Sequence, residues 1–123
     1  MDTGALTIKR IDHVMITVPE GMQPQARTFY KDILELEEIP GEHPRGAMWF
    51  SIGDIELHVR QEPASLPSDR HSAFEVESLD AAKAFLQGKN VAITYSSEID
   101  GRQRCFFRDP FGNRFELLEH LSV

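Results

Sequence analysis

The first half of the chain alternates apolar and polar positions before it changes to helical spacing. Residues 8–18 (IKRIDHVMITV) alternate and are rich in β-branched side chains, which predicts a strand. Gly21 and Pro24 introduce a helix, in which apolar residues recur at helical spacing as far as Ile33. Three further strands are predicted at residues 36–39, 47–52 and 55–60. The predicted order is therefore βαβββ.

The second half repeats this order. Residues 71–77 (HSAFEVE) alternate as a strand, Ser78 is a favourable N-cap for a helix through Leu86, and Gly88 is a candidate C-cap. The last two strands are joined by a turn with the sequence DPFGN, whose Pro and Gly suit a hairpin. The predicted strands of this half after the helix are at residues 91–95, 102–108 and 114–120. Both halves are thus predicted to be βαβββ modules.

Matching histidine-to-glutamate spacings strengthen the case for an internal repeat. His13 precedes Glu56 by 43 residues, and His71 precedes Glu116 by 45 residues. A repeated supersecondary unit predicts one α+β domain spanning residues 1–123. Its expected divisions are module one at about 8–60, a Pro- and Ser-containing linker at 61–69 and module two at about 70–120.

The same four side chains are candidates for a metal site. Successive residues of a strand point to opposite faces, so each candidate lies on the face opposite its apolar neighbours, which pack under the helices. Two imidazoles and two carboxylates suit a divalent Mn, Fe, Co, Ni or Zn ion and leave room for a substrate. The candidate ligands are His13, Glu56, His71 and Glu116. His58 shares the face of Glu56 and is an alternative to it.

Composition and charge exclude several classes of function. The 123 residues carry a net charge of −7, with no basic cluster, which argues against nucleic-acid and anionic-membrane partners. No apolar run approaches the length of a membrane span, and the N-terminal residues do not resemble a signal peptide. Cys105 is the only cysteine, so an intrachain disulfide is excluded. These features predict a cytoplasmic protein with a small-molecule substrate.

Four sequence strings carry a family resemblance. HVMITV, IELHV, HSAFEV and the ending DPFGNRFELLE resemble the vicinal oxygen chelate superfamily of glyoxalase I, bleomycin resistance proteins and extradiol dioxygenases, and glyoxalase I most of all. The resemblance implies curved mixed sheets that form a half-open barrel with the helices outside. It also implies one divalent metal per chain, held by the four candidate ligands.

The resemblance leaves three functions open. The first is a metal-dependent lyase or isomerase that acts through a metal-chelated enediolate, with Glu116 or Glu56 as the general base. The second is an Fe(II) extradiol-type dioxygenase that uses His13, His71 and Glu116. The third is a non-catalytic small-molecule binding protein of the bleomycin-resistance type. The sequence identifies neither the substrate nor the metal.

Two positions depart from the glutathione-dependent enzymes of the family. Those enzymes usually have an arginine where this chain has Thr17, and the relatives that resemble this chain have an asparagine at the position of Arg60. The differences argue against a glutathione adduct as substrate. The resemblance further predicts a homodimer with its sites near the subunit interface. Whether the two modules pair within one chain or between two chains is left open.

Overall fold

A computed structural model describes residues 6–63 and 68–121. In the first module, the helical region begins as an α-helix and continues as a π-helix, and a short 3₁₀ turn precedes the third strand. The elements of module one are β1 (His13–Pro19), α1 (Gln23–Arg27), the π-helix Thr28–Ile33, β2 (Glu37–Ile39), the 3₁₀ turn Pro44–Gly46, β3 (Met48–Ile52) and β4 (Ile55–Glu62).

The second module has the same order of strands and helix. Ser78 is the N-cap of its helix, and its side chain accepts a hydrogen bond from the backbone N–H of Ala81. The elements of module two are β5 (His71–Glu75), α2 (Leu79–Gly88), β6 (Ile93–Ile99), β7 (Arg102–Arg108) and β8 (Arg114–His120). The last two strands have the bounds that the sequence predicts.

Each module folds into its own four-stranded mixed sheet. The strand orders are β1-β4-β3-β2 and β5-β8-β7-β6, so the topology is the same in both modules. The first and last strands of each module pair in parallel, and the other neighbours pair antiparallel. The α+β class and the duplicated βαβββ architecture are therefore confirmed. The two sheets do not close into a barrel within the described chain.

One apolar core joins the modules. It contains buried side chains from both sheets and from the helices, among them Phe50 and Leu57 of module one and Phe107 and Phe115 of module two. Leu57 and Phe115 lie on the faces of their strands that the sequence assigns to the side covered by the helices. Cys105 is also fully buried, and burial raises the pKa of its thiol, as expected for a packed, unreactive cysteine.

Side chains of the DPFGN turn form hydrogen bonds that join module two to module one. The Tyr30 hydroxyl donates a hydrogen bond to Asp109 Oδ2 at 2.5 Å, and both side chains are buried. Asn113 Nδ2 donates to Asp109 Oδ2 at 2.8 Å and to the backbone carbonyl of Thr17 at 2.9 Å. This characteristic string therefore has a structural role at the junction of the two modules.

Several predicted boundaries are wrong. The first strand begins at His13 rather than at residue 8, and β6 runs to Ile99 instead of ending near Tyr95. Gly88 is the last residue of α2 rather than its C-cap, and Asn90 adopts the positive φ of 60° that follows the helix. The linker prediction falls partly on residues 64–67, which lie outside the described residues.

Within the residues that the structure describes, no helix is long and apolar enough to cross a membrane.

Candidate functional site

The first predicted half-site lies on the outer face of the sheet of module one. β1 and β4 pair in parallel with His13 opposite Glu56. Leu57 and Val59 point into the core, so Glu56 and His58 point away from it. His58 Nε2 lies 2.9 Å from Glu56 Oε1. The structure therefore brings together the first histidine, the first glutamate and its alternative, His58.

A stack of four rings holds this half-site in place. The centroids of His13 and His58 are 4.0 Å apart, those of His58 and Trp49 are 4.1 Å apart, and those of Trp49 and His43 are 4.0 Å apart. The rings of all three pairs are nearly parallel, with interplanar angles of 13°, 2° and 11°. His43 Nε2 also lies 3.0 Å from the carbonyl oxygen of Ile39, which fixes the outer end of the stack.

The stack was not predicted from the sequence, although the sequence contains a signal for its central contact. The β3–β4 hairpin turns at Gly53 and Asp54, which makes Ile52 and Ile55 partners. Counting outward from that turn places Trp49 opposite His58, on the same face of the sheet. The contact of His43 with Trp49 depends on the path of a loop and leaves no such signal.

The second half-site lies on the outer face of module two. β5 and β8 pair in parallel with Ala73 opposite Glu116, and His71 Nε2 lies 2.9 Å from Glu116 Oε1. The Glu116 side chain is only 7% exposed, whereas the His71 side chain is 28% exposed. The ring of Phe106 meets the His71 ring edge-on. This histidine and glutamate are therefore in direct contact, as their common strand parity predicts.

Both candidate histidines use Nδ1 for a local acceptor. His13 Nδ1 lies 2.9 Å from Asp12 Oδ2, and this hydrogen bond lowers the pKa of the exposed Asp12 carboxyl. His71 Nδ1 lies 2.9 Å from the carbonyl oxygen of Asp69. Metal-binding histidines commonly make such a contact from one ring nitrogen. The other ring nitrogen of His71, Nε2, is the one that faces Glu116 Oε1.

Two arginines lie beside the second half-site. Arg104 Nη1 is 3.7 Å from Glu116 Oε2, and its Nε donates to the Ser97 hydroxyl at 3.0 Å. The guanidinium carbon atoms of Arg104 and Arg114 lie 5.1 Å and 4.0 Å from the centroid of Phe106. The outer face of module two is therefore locally cationic around its histidine and glutamate.

The two half-sites do not meet within one chain. Among residues 6–63 and 68–121, no three His, Cys, Asp or Glu side chains come close enough together to hold a metal ion. The reason is the shared core, because each half-site points away from the apolar faces that join the modules. The structure thus forms two histidine–carboxylate pairs, and it does not assemble the four-residue set in a single chain.

A cavity of about 430 Å³ opens beside the first half-site. Its lining combines the inner part of the ring stack with two arginines and an exposed methionine. The lining residues are Asp12, His13, Met15, Pro44, Arg45, Ala47, Trp49, Glu56, His58 and Arg60. Thr17 and Arg60, the two departures from the glutathione enzymes, are partners in the β1–β4 register.

Three solved structures illustrate what this chain is similar to. A glyoxalase family protein from Bacillus anthracis is 34% identical, with a TM-score of 0.84, and the match covers 94% of this chain and 98% of that one. A lactoylglutathione lyase from Agrobacterium tumefaciens is 18% identical, with a TM-score of 0.74 and coverage of 92% and 95%. The fosfomycin resistance protein FosX from Listeria monocytogenes is 19% identical, with a TM-score of 0.74 and coverage of 92% and 94%. The last two similarities show the fold alone.

No curated protein matches this sequence significantly. The sequence does match a family model over most of its length. Residues 10–117 match the model of the Glyoxalase/Bleomycin resistance protein/Dioxygenase superfamily. This span includes all four candidate ligands and both modules except the last three residues of β8. The chain belongs to that superfamily.

Proposed function

We propose that this protein is a glyoxalase-type, metal-dependent lyase or isomerase that acts on a small oxygenated molecule. The observation that carries the proposal is that a histidine and a glutamate share the outer face of each module, with His13 opposite Glu56 in the β1–β4 register and His71 Nε2 at 2.9 Å from Glu116 Oε1. Two such pairs provide the donor set that a divalent Mn, Fe, Co, Ni or Zn ion accepts. His13, Glu56, His71 and Glu116 would hold the ion.

A second copy of the chain would complete each site. The two pairs face away from a common core, so His13 and Glu56 of one chain would meet His71 and Glu116 of its partner around a two-fold axis. Exposed apolar side chains on the outer faces support this arrangement, because contact with another copy would cover them. Met15 is 48% exposed on the first sheet, and Tyr95 and Ile99 are 53% and 47% exposed on the second.

The metal, when bound, would supply Lewis-acid polarisation of two neighbouring substrate oxygens. Glu116 is the best candidate for moving a proton between adjacent substrate carbons, as general base and then as acid. Its carboxylate is nearly buried and contacts His71, and Arg104 lies near its second oxygen. Glu56 is the alternative, with a side chain that is 39% exposed.

Glu56 is the proposed ligand in preference to His58. Both faces of the His58 ring are covered, by His13 and by Trp49, and its Nε2 is directed at Glu56. An imidazole held in this way suits the role of orienting a ligand carboxylate. His58 is therefore proposed as a positioning residue. Metal coordinated by His58 Nε2, with Glu56 turned away, would contradict this assignment.

One observation favours a second function. If the His58 contact withdraws Glu56 from the metal, then His13, His71 and Glu116 remain as two histidines and one carboxylate. That set suits Fe(II) and leaves positions for oxygen and a catechol, as in an extradiol dioxygenase. The oxygenase would be favoured if the purified protein retained Fe and none of the other metals, and if Glu56→Gln bound as much metal as the parent.

Elemental analysis of the purified protein tests the metal proposal. Protein supplied with Mn, Fe, Co, Ni and Zn is expected to retain about one ion per chain, and His71→Ala is expected to lose it. His120→Ala is the matched control, because His120 is an exposed histidine at the far end of the same strand as Glu116. Metal-free parent protein would reject the proposal in favour of a non-catalytic binding protein. Equal metal in the parent and in His71→Ala would show that the set of four ligands is wrong.

A further inference from the structure

An arginine that has no polar side-chain partner among the described residues lies next to the first half-site. Arg60 is half-buried on β4 and lines the same cavity as His13 and Glu56. Within residues 6–63 and 68–121, its guanidinium has no carboxylate within the 4.0 Å of a salt bridge and makes no side-chain hydrogen bond. A guanidinium has five N–H donors, and the chain carries an excess of acidic residues. Arg60 therefore has N–H donors that no described carboxylate satisfies and that can bind a ligand in the cavity.

The nearest carboxylate on the same strand already accepts a hydrogen bond from another residue. Glu62 shares the face of Arg60 and is the nearest acidic residue along β4. Its Oε1 accepts a hydrogen bond from the Thr17 hydroxyl at 2.6 Å, and Thr17 is the cross-strand partner of Arg60. This arrangement leaves the guanidinium of Arg60 available to the cavity.

A second arginine lies at the edge of the same cavity, on a well-anchored loop. Arg45 is in the 3₁₀ turn Pro44–Gly46 and has a φ of 59°, in the left-handed region that few side chains adopt. Gln23 Nε2 donates to the Gly46 carbonyl at 2.6 Å, and the preceding His43 is stacked on Trp49. The loop therefore holds the Arg45 backbone in one conformation beside the ring stack.

Two arginines also lie beside the second half-site, and both have partners in the chain. Arg114 stacks on Phe106, and its Nη1 donates a hydrogen bond to the Asp69 carbonyl at 3.3 Å. Arg104 is held between Ser97 and Glu116 on the adjacent strand. Both candidate metal-binding pairs are thus accompanied by arginine, in a protein whose net charge is −7.

We infer that the substrate is a small oxyanion, a carboxylate or phosphonate, whose charged group is bound by Arg60 with Arg45 at the edge of the cavity. The planar guanidinium offers parallel N–H donors that match two oxygens of such a group. The inference rests on the proposed function, which gives the position of the reacting atoms of the substrate. Binding of the anion by the arginines requires no metal, so the two claims can be tested separately.

Trp49 provides the assay, because it is the only tryptophan and lines the cavity. Metal-free protein is titrated with malonate, methylphosphonate and the neutral analogue malonamide while Trp49 fluorescence is recorded. We expect saturable changes with one or both anions, none with malonamide, and binding weakened by roughly tenfold or more in Arg60→Gln. The anion that binds more tightly identifies the charged group of the substrate as a carboxylate or a phosphonate.

Matched variants separate specific recognition from net charge and from misfolding. Lys9→Gln removes one positive charge from an exposed position outside the cavity and is expected to bind like the parent. Arg45→Gln, at an exposed position, is expected to weaken binding less than Arg60→Gln. Equal affinities in Arg60→Gln and Lys9→Gln, or no preference for the anions over malonamide, would overturn the inference. Elemental analysis of Arg60→Gln, which is expected to keep its metal, reports on the proposed function separately.

Discussion

The buried bond between Tyr30 and Asp109 is predicted to be a main determinant of stability. Tyr30 is 0% exposed and Asp109 is 5% exposed, and the two residues connect the helical region of module one to the last hairpin of module two. Asp109 Oδ1 also accepts the backbone N–H groups of Phe111 and Asn113, at 2.9 and 2.8 Å. One carboxylate therefore satisfies several buried donors.

The structure sets the size of the expected effects. Tyr30→Phe removes one hydrogen bond to a charged acceptor and leaves no cavity, so it is expected to lower the free energy of unfolding by about 1.5–3 kcal/mol. Asp109→Ala also leaves the Phe111 and Asn113 donors unsatisfied, and a loss of about 3–5 kcal/mol is expected. That is a large share of the roughly 5–15 kcal/mol that stabilises a domain, so this variant is at risk of unfolding.

A double-mutant cycle with the milder Asp109→Asn keeps the prediction testable. Urea unfolding, followed by circular dichroism and by Trp49 fluorescence, should give a coupling energy of about 1–2 kcal/mol between Tyr30→Phe and Asp109→Asn. Tyr95→Phe is the control, because Tyr95 is 53% exposed and its loss should change stability by less than about 0.5 kcal/mol. A Tyr30→Phe variant as stable as the Tyr95→Phe control, or strictly additive effects, would refute the reasoning.

Two further predictions concern pH and substrate. Burial, and then the nearby Asp109 carboxylate, raise the pKa of Tyr30 well above its ordinary value of 10.0. The unfolded chain therefore loses this proton above about pH 10, while the folded chain keeps it. The free energy of unfolding should fall as pH rises through 10, and it should fall less steeply in Tyr30→Phe than in the parent. Equal slopes in the two proteins would contradict this prediction. Hemithioacetals of glutathione and methylglyoxal should be poor substrates, because the uncharged Thr17 cannot bind a carboxylate as an arginine does; a kcat/KM of roughly 10⁴ M⁻¹s⁻¹ or more would show otherwise.

Local patterns predicted most of the fold. Strand alternation placed Glu56 and Glu116 on the faces opposite Leu57 and Phe115, and the structure has the same parity. The repeat predicted two equivalent modules, because a supersecondary unit that recurs along a chain keeps its internal pairing. These features depend on neighbours in sequence or on a single hairpin, so they can be predicted from one sequence.

Longer-range features could not be predicted. The Tyr30–Asp109 bond joins residues 79 positions apart, and no pattern in either string signals it. The contact of His43 with the ring of Trp49 depends on the loop between β2 and β3. The orientation of the half-sites away from each other depends on how two finished sheets share a core, which is a property of packing and not of periodicity.

The central claim is that two chains share each metal site, and complementation between two variants that each lack one ligand tests it most directly. His13→Ala and His71→Ala are purified separately and also refolded together from denaturant, and the metal content and sedimentation of each sample are measured. Each variant alone should be dimeric and metal-free. In the mixture, about half of the dimers combine both variants, and each of these has one intact site of two, so about a quarter of the parent's metal should return. A mixture that stays as metal-free as its components, from a parent that binds metal, would contradict the shared site.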